Sequence, residues 1–192
     1  AINMMDGIDG LAGALSLIAF AAIAFFLNRV ANDWFLLPTL FIASLLAYLM
    51  FNLNLHKSFS KIFMGDSGNM LIGLSLVWLM VLSVNLETPA FKPVTALYIM
   101  GVPILDMATV IIRRLKSGNS AFSADRQHLH HLFEAAGYSR TSALICISSF
   151  ASLLAVLGCA ADIFLVPEWI MLVTFIILFI CYAAINLGFC KV

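Results

Sequence analysis

The chain has 192 residues, 63% of them hydrophobic and 10% charged, with a mean hydropathy of +1.06. Soluble domains average roughly 45–50% apolar and 25% charged residues, so this composition excludes an ordinary water-soluble fold and places the chain in lipid. Ten basic and ten acidic side chains cancel, which leaves no global field for a nucleic-acid partner and puts the information in where the charges sit.

Ala1 is not an initiator methionine, and neither a signal-peptide pattern nor a basic N-terminal region follows it. The expectation is that residues 1–192 are a single transmembrane domain, the C-terminal part of a larger protein. The opening motif, NMMDGIDGLAG over residues 3–13, spaces Asn3, Asp6 and Asp9 by three. That spacing predicts a slowly drifting face of a helix, with Gly7, Gly10 and Gly13 repeating the interval. Small residues so spaced let another helix approach, and carboxylates at a membrane edge call for pairing, solvation or a bound cation.

Six segments approach the roughly 20 apolar residues needed to cross a bilayer as a helix. They are Leu11–Leu27, Leu37–Leu55, Met70–Leu86, Val94–Ile112, Ala143–Ile163 and Trp169–Leu187. The expected fold is all-α, a polytopic bundle of about six transmembrane helices. Before the third span lies Phe63-Met-Gly65-Asp66-Ser67-Gly68, a glycine-flanked turn whose N–H groups suit a phosphate and whose Asp66 suits magnesium. Asp66 or Ser67 as a plain helix cap is the competing reading. In the fourth span Asp106 and Pro103 predict a kinked or loosened helix, with Asp106 within reach of Arg113 or Arg114.

The loop after that span carries Asp125-Arg126-Gln127-His128-Leu129-His130-His131 and then Phe133 and Glu134. A zinc site would need further ligands at helical spacing. Imidazoles beside an arginine instead suit phosphate oxygens or proton transfer. Cys146, Cys159, Cys181 and Cys190 show no metal spacing and read as small buried hydrophobes.

Six spans put both chain ends on one side. One set of loops then holds Lys57, Lys61, Arg113, Arg114, Lys116, Arg126, Arg140 and Lys191, the other only Arg29 and Lys92. The richer side is cytosolic by the positive-inside rule. It also receives Asn3, Asp6, Asp9, His56, Asp66, His128, His130 and His131. Asp33, Glu87, Asp162 and Glu168 fall outside and read as solvated loop acids. Metal-binding acids, a glycine turn and a basic histidine loop on one face are what phosphoryl transfer to a lipid headgroup requires.

NMMDGIDGLAG, FMGDSG and DRQHLHH, in that order, resemble the motifs of the polyprenyl-phosphate N-acetylhexosamine-1-phosphate transferases, glycosyltransferase family 4, and sit closest to its GlcNAc-1-phosphate branch. The resemblance implies an enzyme of the bacterial inner membrane, with its active site facing the cytosol, that starts cell-envelope polysaccharides. It would move a sugar 1-phosphate from a UDP-sugar to undecaprenyl phosphate and release UMP, with Mg²⁺ as cofactor. It assigns Asp66 to the metal, Asp6, Asp9, His128, His130 and His131 to catalysis, and Asn3, Phe63, Arg126 and either Asn52 or Asn54 to substrate. Homodimer formation stays open. The family also has an adjacent-aspartate motif, absent from this chain, and little activity is therefore expected of these residues alone. A rhomboid-like serine protease, from Gly65-Asp66-Ser67-Gly68, and a solute transporter using Asp106 are the alternatives.

Overall fold

The computed structural model describes residues 2–55, 60–118, 120 and 128–189. Among these residues every regular element is helical. The helices are α1 (Leu11–Arg29), α2 (Leu36–Asn52), α3 (Gly65–Val84), α4 (Pro93–Ile99), α5 (Gly101–Lys116), α6 (Leu129–Ala135), α7 (Arg140–Ile163) and α8 (Glu168–Phe189), with short 3-10 turns at Ile2–Met5 and Asp33–Phe35. Five stretches are long and apolar enough to cross a membrane: Leu11–Arg29, Asp33–Asn52, Gly65–Val84, Arg140–Ile163 and Glu168–Asn186. The protein is an all-α, multi-pass membrane protein, as its composition predicts.

The fourth predicted span is broken outright. Helices α4 and α5 meet at 81°, and the break lies at Met100, ahead of Pro103. Pro103 falls in the first turn of α5, where its missing N–H removes no intrahelical bond. Counted as one bent unit, the pair brings the number of spans to six.

Helix α1 is the centre of the bundle. Its Phe20, Ile23 and Phe26 are fully buried against Leu45 of α2 and Ile72, Leu76 and Leu79 of α3. Phe20 stacks on Phe41 with ring centroids 4.6 Å apart. Leu11 and Leu15 instead join Tyr98, Leu105, Ile147, Leu154 and Phe175, a second core built with α4, α5, α7 and α8. The outer surface is also apolar: Leu40 is 65% exposed and Leu74 70%. Lipid is the solvent for such a surface, so exposed leucine there carries no penalty. Cys146 and Cys181 are on it too, which corrects the expectation that they are buried; Cys190 lies outside the described residues.

Asp162 is another correction. It is buried, accepting from the backbone N–H of Lys92 at 2.8 Å and from the Thr95 hydroxyl. Lys92 in turn donates to the Val166 carbonyl at 2.8 Å. This loop acid therefore fastens the start of α4 to the end of α7. Further along the same helix pair, a Cβ built on Gly158 would stand 2.2 Å from Tyr98 Cβ, whereas one on Gly73 meets nothing within 4 Å. Gly158→Ala should lower the thermal midpoint in detergent, a loss of about 1–3 kcal/mol. Gly73→Ala, which adds a better helix former on an open face, should hold or raise it.

Candidate active site

The three-residue rhythm of the opening motif survives, though not on a helix. Ile2, Met5, Ile8 and Leu11 are buried, and the register one residue further on leaves Asn3 and Asp6 exposed and Asp9 half-buried. The expected helix is replaced by the 3-10 turn and an irregular stretch ending at Gly10, whose φ of 78° only glycine adopts without strain. The packing role read for the glycines also holds: a Cβ on Gly13 would stand 2.9 Å from Leu49 of α2.

Asn52 ties this stretch down. Its Oδ1 accepts from Gly10 N–H at 2.6 Å and its Nδ2 donates to the Ile62 carbonyl at 2.8 Å. It is only 2% exposed. Both ends of the amide serve backbone groups inside the protein. Asn54, the other asparagine considered, is exposed at φ 50°.

Residues 61–69 then hold the two acids. Lys61 Nζ lies 2.6 Å from Asp9 Oδ2, and Asn69 Nδ2 donates to Asp6 Oδ2 at 2.7 Å. Asn69 is buried, and its Oδ1 has no hydrogen-bond partner among the described residues. Sequence reasoning gave Asn69 no role; its place three residues after Asp66, one helical turn on, was the available signal. Phe63 is 74% exposed, with the Lys61 ammonium over one face of its ring, 5.0 Å from the centroid. The N-cap position of α3 is Met64, which supplies no side-chain cap, and Gly65 turns the chain at φ 69°. Asp66 and Ser67 are exposed in the first turn. Neither stands at the N-cap, and among the described residues no side chain caps the first N–H groups of α3.

Asp9, Asn54, Lys61, Arg140 and Thr141 line a recess of about 360 Å³. Arg140 is the bridge to the histidine helix α6: its Nε donates to Glu134 Oε1 at 3.0 Å, and His131 Nδ1 lies 3.3 Å from Glu134 Oε2. The His131 hydrogen bond first, and that of Arg140 second, hold the Glu134 carboxyl below the usual carboxylate range. Both links were missed because arginine at a span end reads as a topological anchor.

His128 does not face the recess chemistry expected of it. It is buried, with Nδ1 2.9 Å from Asp106 Oδ2. Asp106 is 2% exposed and also accepts from Leu129 N–H at 3.0 Å and from the Tyr182 hydroxyl at 3.2 Å. One ring nitrogen of His128, Nδ1, is thus paired with a buried carboxylate, which fixes the orientation of the imidazole. The side chain of His130 and all of Asp125, Arg126 and Gln127 lie outside the described residues.

Among the described residues no group of three or more His, Cys, Asp or Glu could hold a metal by itself. Mg²⁺ does not demand one, since it binds through one or two carboxylates with water and substrate phosphates. Asp66 and the unpartnered oxygen of Asn69 are hard donors of that kind. The protease alternative finds no support: Ser67 has no histidine partner among the described residues. The transport alternative loses its acid, because Asp106 is engaged in a fixed hydrogen-bond knot.

The sequence pattern described as glycosyl transferase family 4 matches residues 1–84. Undecaprenyl-phosphate alpha-N-acetylglucosaminyl 1-phosphate transferase of Escherichia coli (strain K12) is 42% identical over 99% of this chain and 51% of its own length. The protein of that name from Yersinia pestis is 38% identical with the same coverage. That from Haemophilus influenzae is 41% identical over 88% of this chain and 48% of its own. The chain spans about half the length of the curated relatives it matches. With its motif residues gathered as described and this likeness running through nearly the whole sequence, the chain belongs to glycosyl transferase family 4.

Proposed function

We propose that the full-length protein transfers GlcNAc 1-phosphate from UDP-GlcNAc to undecaprenyl phosphate at the cytosolic face of a bacterial inner membrane. The observation that carries this reading is the 42% identity to transferases of that name over 99% of the chain. An acceptor phosphate oxygen attacks the sugar-bearing phosphorus, the bond to the bridging diphosphate oxygen breaks, and UMP leaves with that electron pair. The product is the lipid diphosphate sugar.

Both reactants are anionic, so the site must neutralise charge and align the displacement. Asp66, with Asn69 beside it, would hold Mg²⁺, which supplies positive charge to the phosphates when bound. Phe63 offers its exposed ring to uracil, and Asn3 and Arg126 add polar contacts to the nucleotide. The uncapped N-terminus of α3 is favourable for a phosphate oxygen. Asp6 and Asp9 are kept in place by Asn69 and Lys61. His131, oriented by Glu134, and His130 serve the diphosphate, with Arg140 fixing Glu134 from the recess side.

Two measurements check this arrangement. Asp66→Ala in the full-length protein should reduce UMP release by at least about 100-fold, with dependence on Mg²⁺ in the wild type, when assayed with UDP-GlcNAc and undecaprenyl phosphate. Because the Glu134 carboxyl is depressed, its link to His131 and Arg140 persists at neutral pH and is lost as pH falls through the depressed value. His131→Ala should raise the Glu134 titration, followed by carbon-13 NMR, toward the ordinary carboxylate range, and Arg140→Gln should raise it less.

A further inference from the structure

We propose that Asp106 is the positioning residue of the histidine helix, anchoring α6 to the bent span and to α8 so that His131 is held against the substrate phosphates. The kinetic part of this inference rests on the transferase reading; the structural part does not.

Helix α6 has seven residues, too few to persist on its own. Its N-cap residue His128 supplies no side-chain cap. Instead, the first helical N–H, that of Leu129, is accepted by Asp106 Oδ1 at 3.0 Å, while the cap residue's own ring binds Asp106 Oδ2 at 2.9 Å. One carboxylate from α5 thus acts as a cap supplied from another helix. The Tyr182 hydroxyl, 76 residues along the chain, brings α8 to the same Oδ1 at 3.2 Å.

Packing does not duplicate this hold on the α8 side. There Leu129, Leu132, Phe133, Tyr182 and Ile185 surround an apolar recess of about 260 Å³, so the two helices are not in full contact. Asp106 lies in the cytosolic half of the bent span and Gly101, at the start of α5, packs on α7: a Cβ there would stand 2.8 Å from Leu154. The anchor point is therefore itself fixed to the bundle. A carboxylate this buried persists only when its acceptors are used, and those donors come from α6 and α8.

Amide hydrogen exchange and steady-state kinetics on the full-length protein test the proposal. Asp106→Ala should speed exchange at Leu129 and the α6 amides by at least about tenfold while α1 and α7 keep wild-type protection. Turnover should fall at least about 100-fold, with the donor KM changed less than about threefold. Asp106→Asn, which keeps an acceptor for Leu129 and Tyr182, should restore α6 protection and part of the turnover. Tyr182→Phe should loosen α6 alone, and to a smaller extent. If Asp106→Ala unfolds the whole bundle, Tyr182→Phe decides: faster exchange confined to α6 supports the anchor, and unchanged exchange overturns it. Wild-type protection of α6 in Asp106→Ala also overturns it. Absence of UMP release from the wild type would refute the transferase reading, while the exchange result would still decide the anchor.

Discussion

A polar group buried within a bilayer has no water to fall back on, and this protein meets that constraint with a few side chains that each serve two or three partners. Asn52 joins Gly10 to Ile62, Asp162 joins Lys92 to Thr95, and Asp106 joins His128, Leu129 and Tyr182. Asn52 and Asp162 sit at helix ends, and Asp106, inside α5, reaches the start of α6. Leaving any of these groups unpaired would cost about 1–3 kcal/mol, more for the charged ones. Apolar side chains form the bulk of the bundle, while these polar joints decide how its ends meet.

The site depends on that division. Asp6 and Asp9 stand on the irregular stretch between the 3-10 turn and α1, held from beneath by Ile2, Met5 and Ile8 and from the side by Asn69 and Lys61. The histidine helix is a second unit, and the Arg140 to Glu134 to His131 chain brings it to the wall of the recess that Asp9 also lines. Asp6 and Asp9 thus stand on irregular backbone, Asp66 opens a span and His131 rides on a short helix.

Much of this was legible in the sequence. The spans follow from length and hydropathy, and the three-residue interval marked Asn3, Asp6 and Asp9 as one set. Its conformation was not legible, because a period of three fits a drifting helical face as well as a turn with apolar residues inward. The break at Met100 was invisible beside Pro103, the stronger local signal, although proline in a first turn disturbs nothing. Asn69, Asp162 and Tyr182 were missed for another reason. Their partners lie 63 to 76 residues away, and no local pattern records such pairing. His128 could not be told from His130 and His131, since adjacency hides which ring turns inward.

The separations along the chain also set an order of assembly. Chains enter the membrane from the N-terminal end and fold as they emerge. Once α3 has been synthesised, the side chains that hydrogen-bond Asp6 and Asp9 among the described residues, Asn69 and Lys61, are present. Asp106 must wait: one of its donors, Tyr182, arrives only with α8. During biogenesis one half of the site is thus complete while the other is unfinished, and a nascent chain stalled before α8 would expose a half-satisfied carboxylate within the membrane, the kind of defect by which quality control could recognise an unfinished protein.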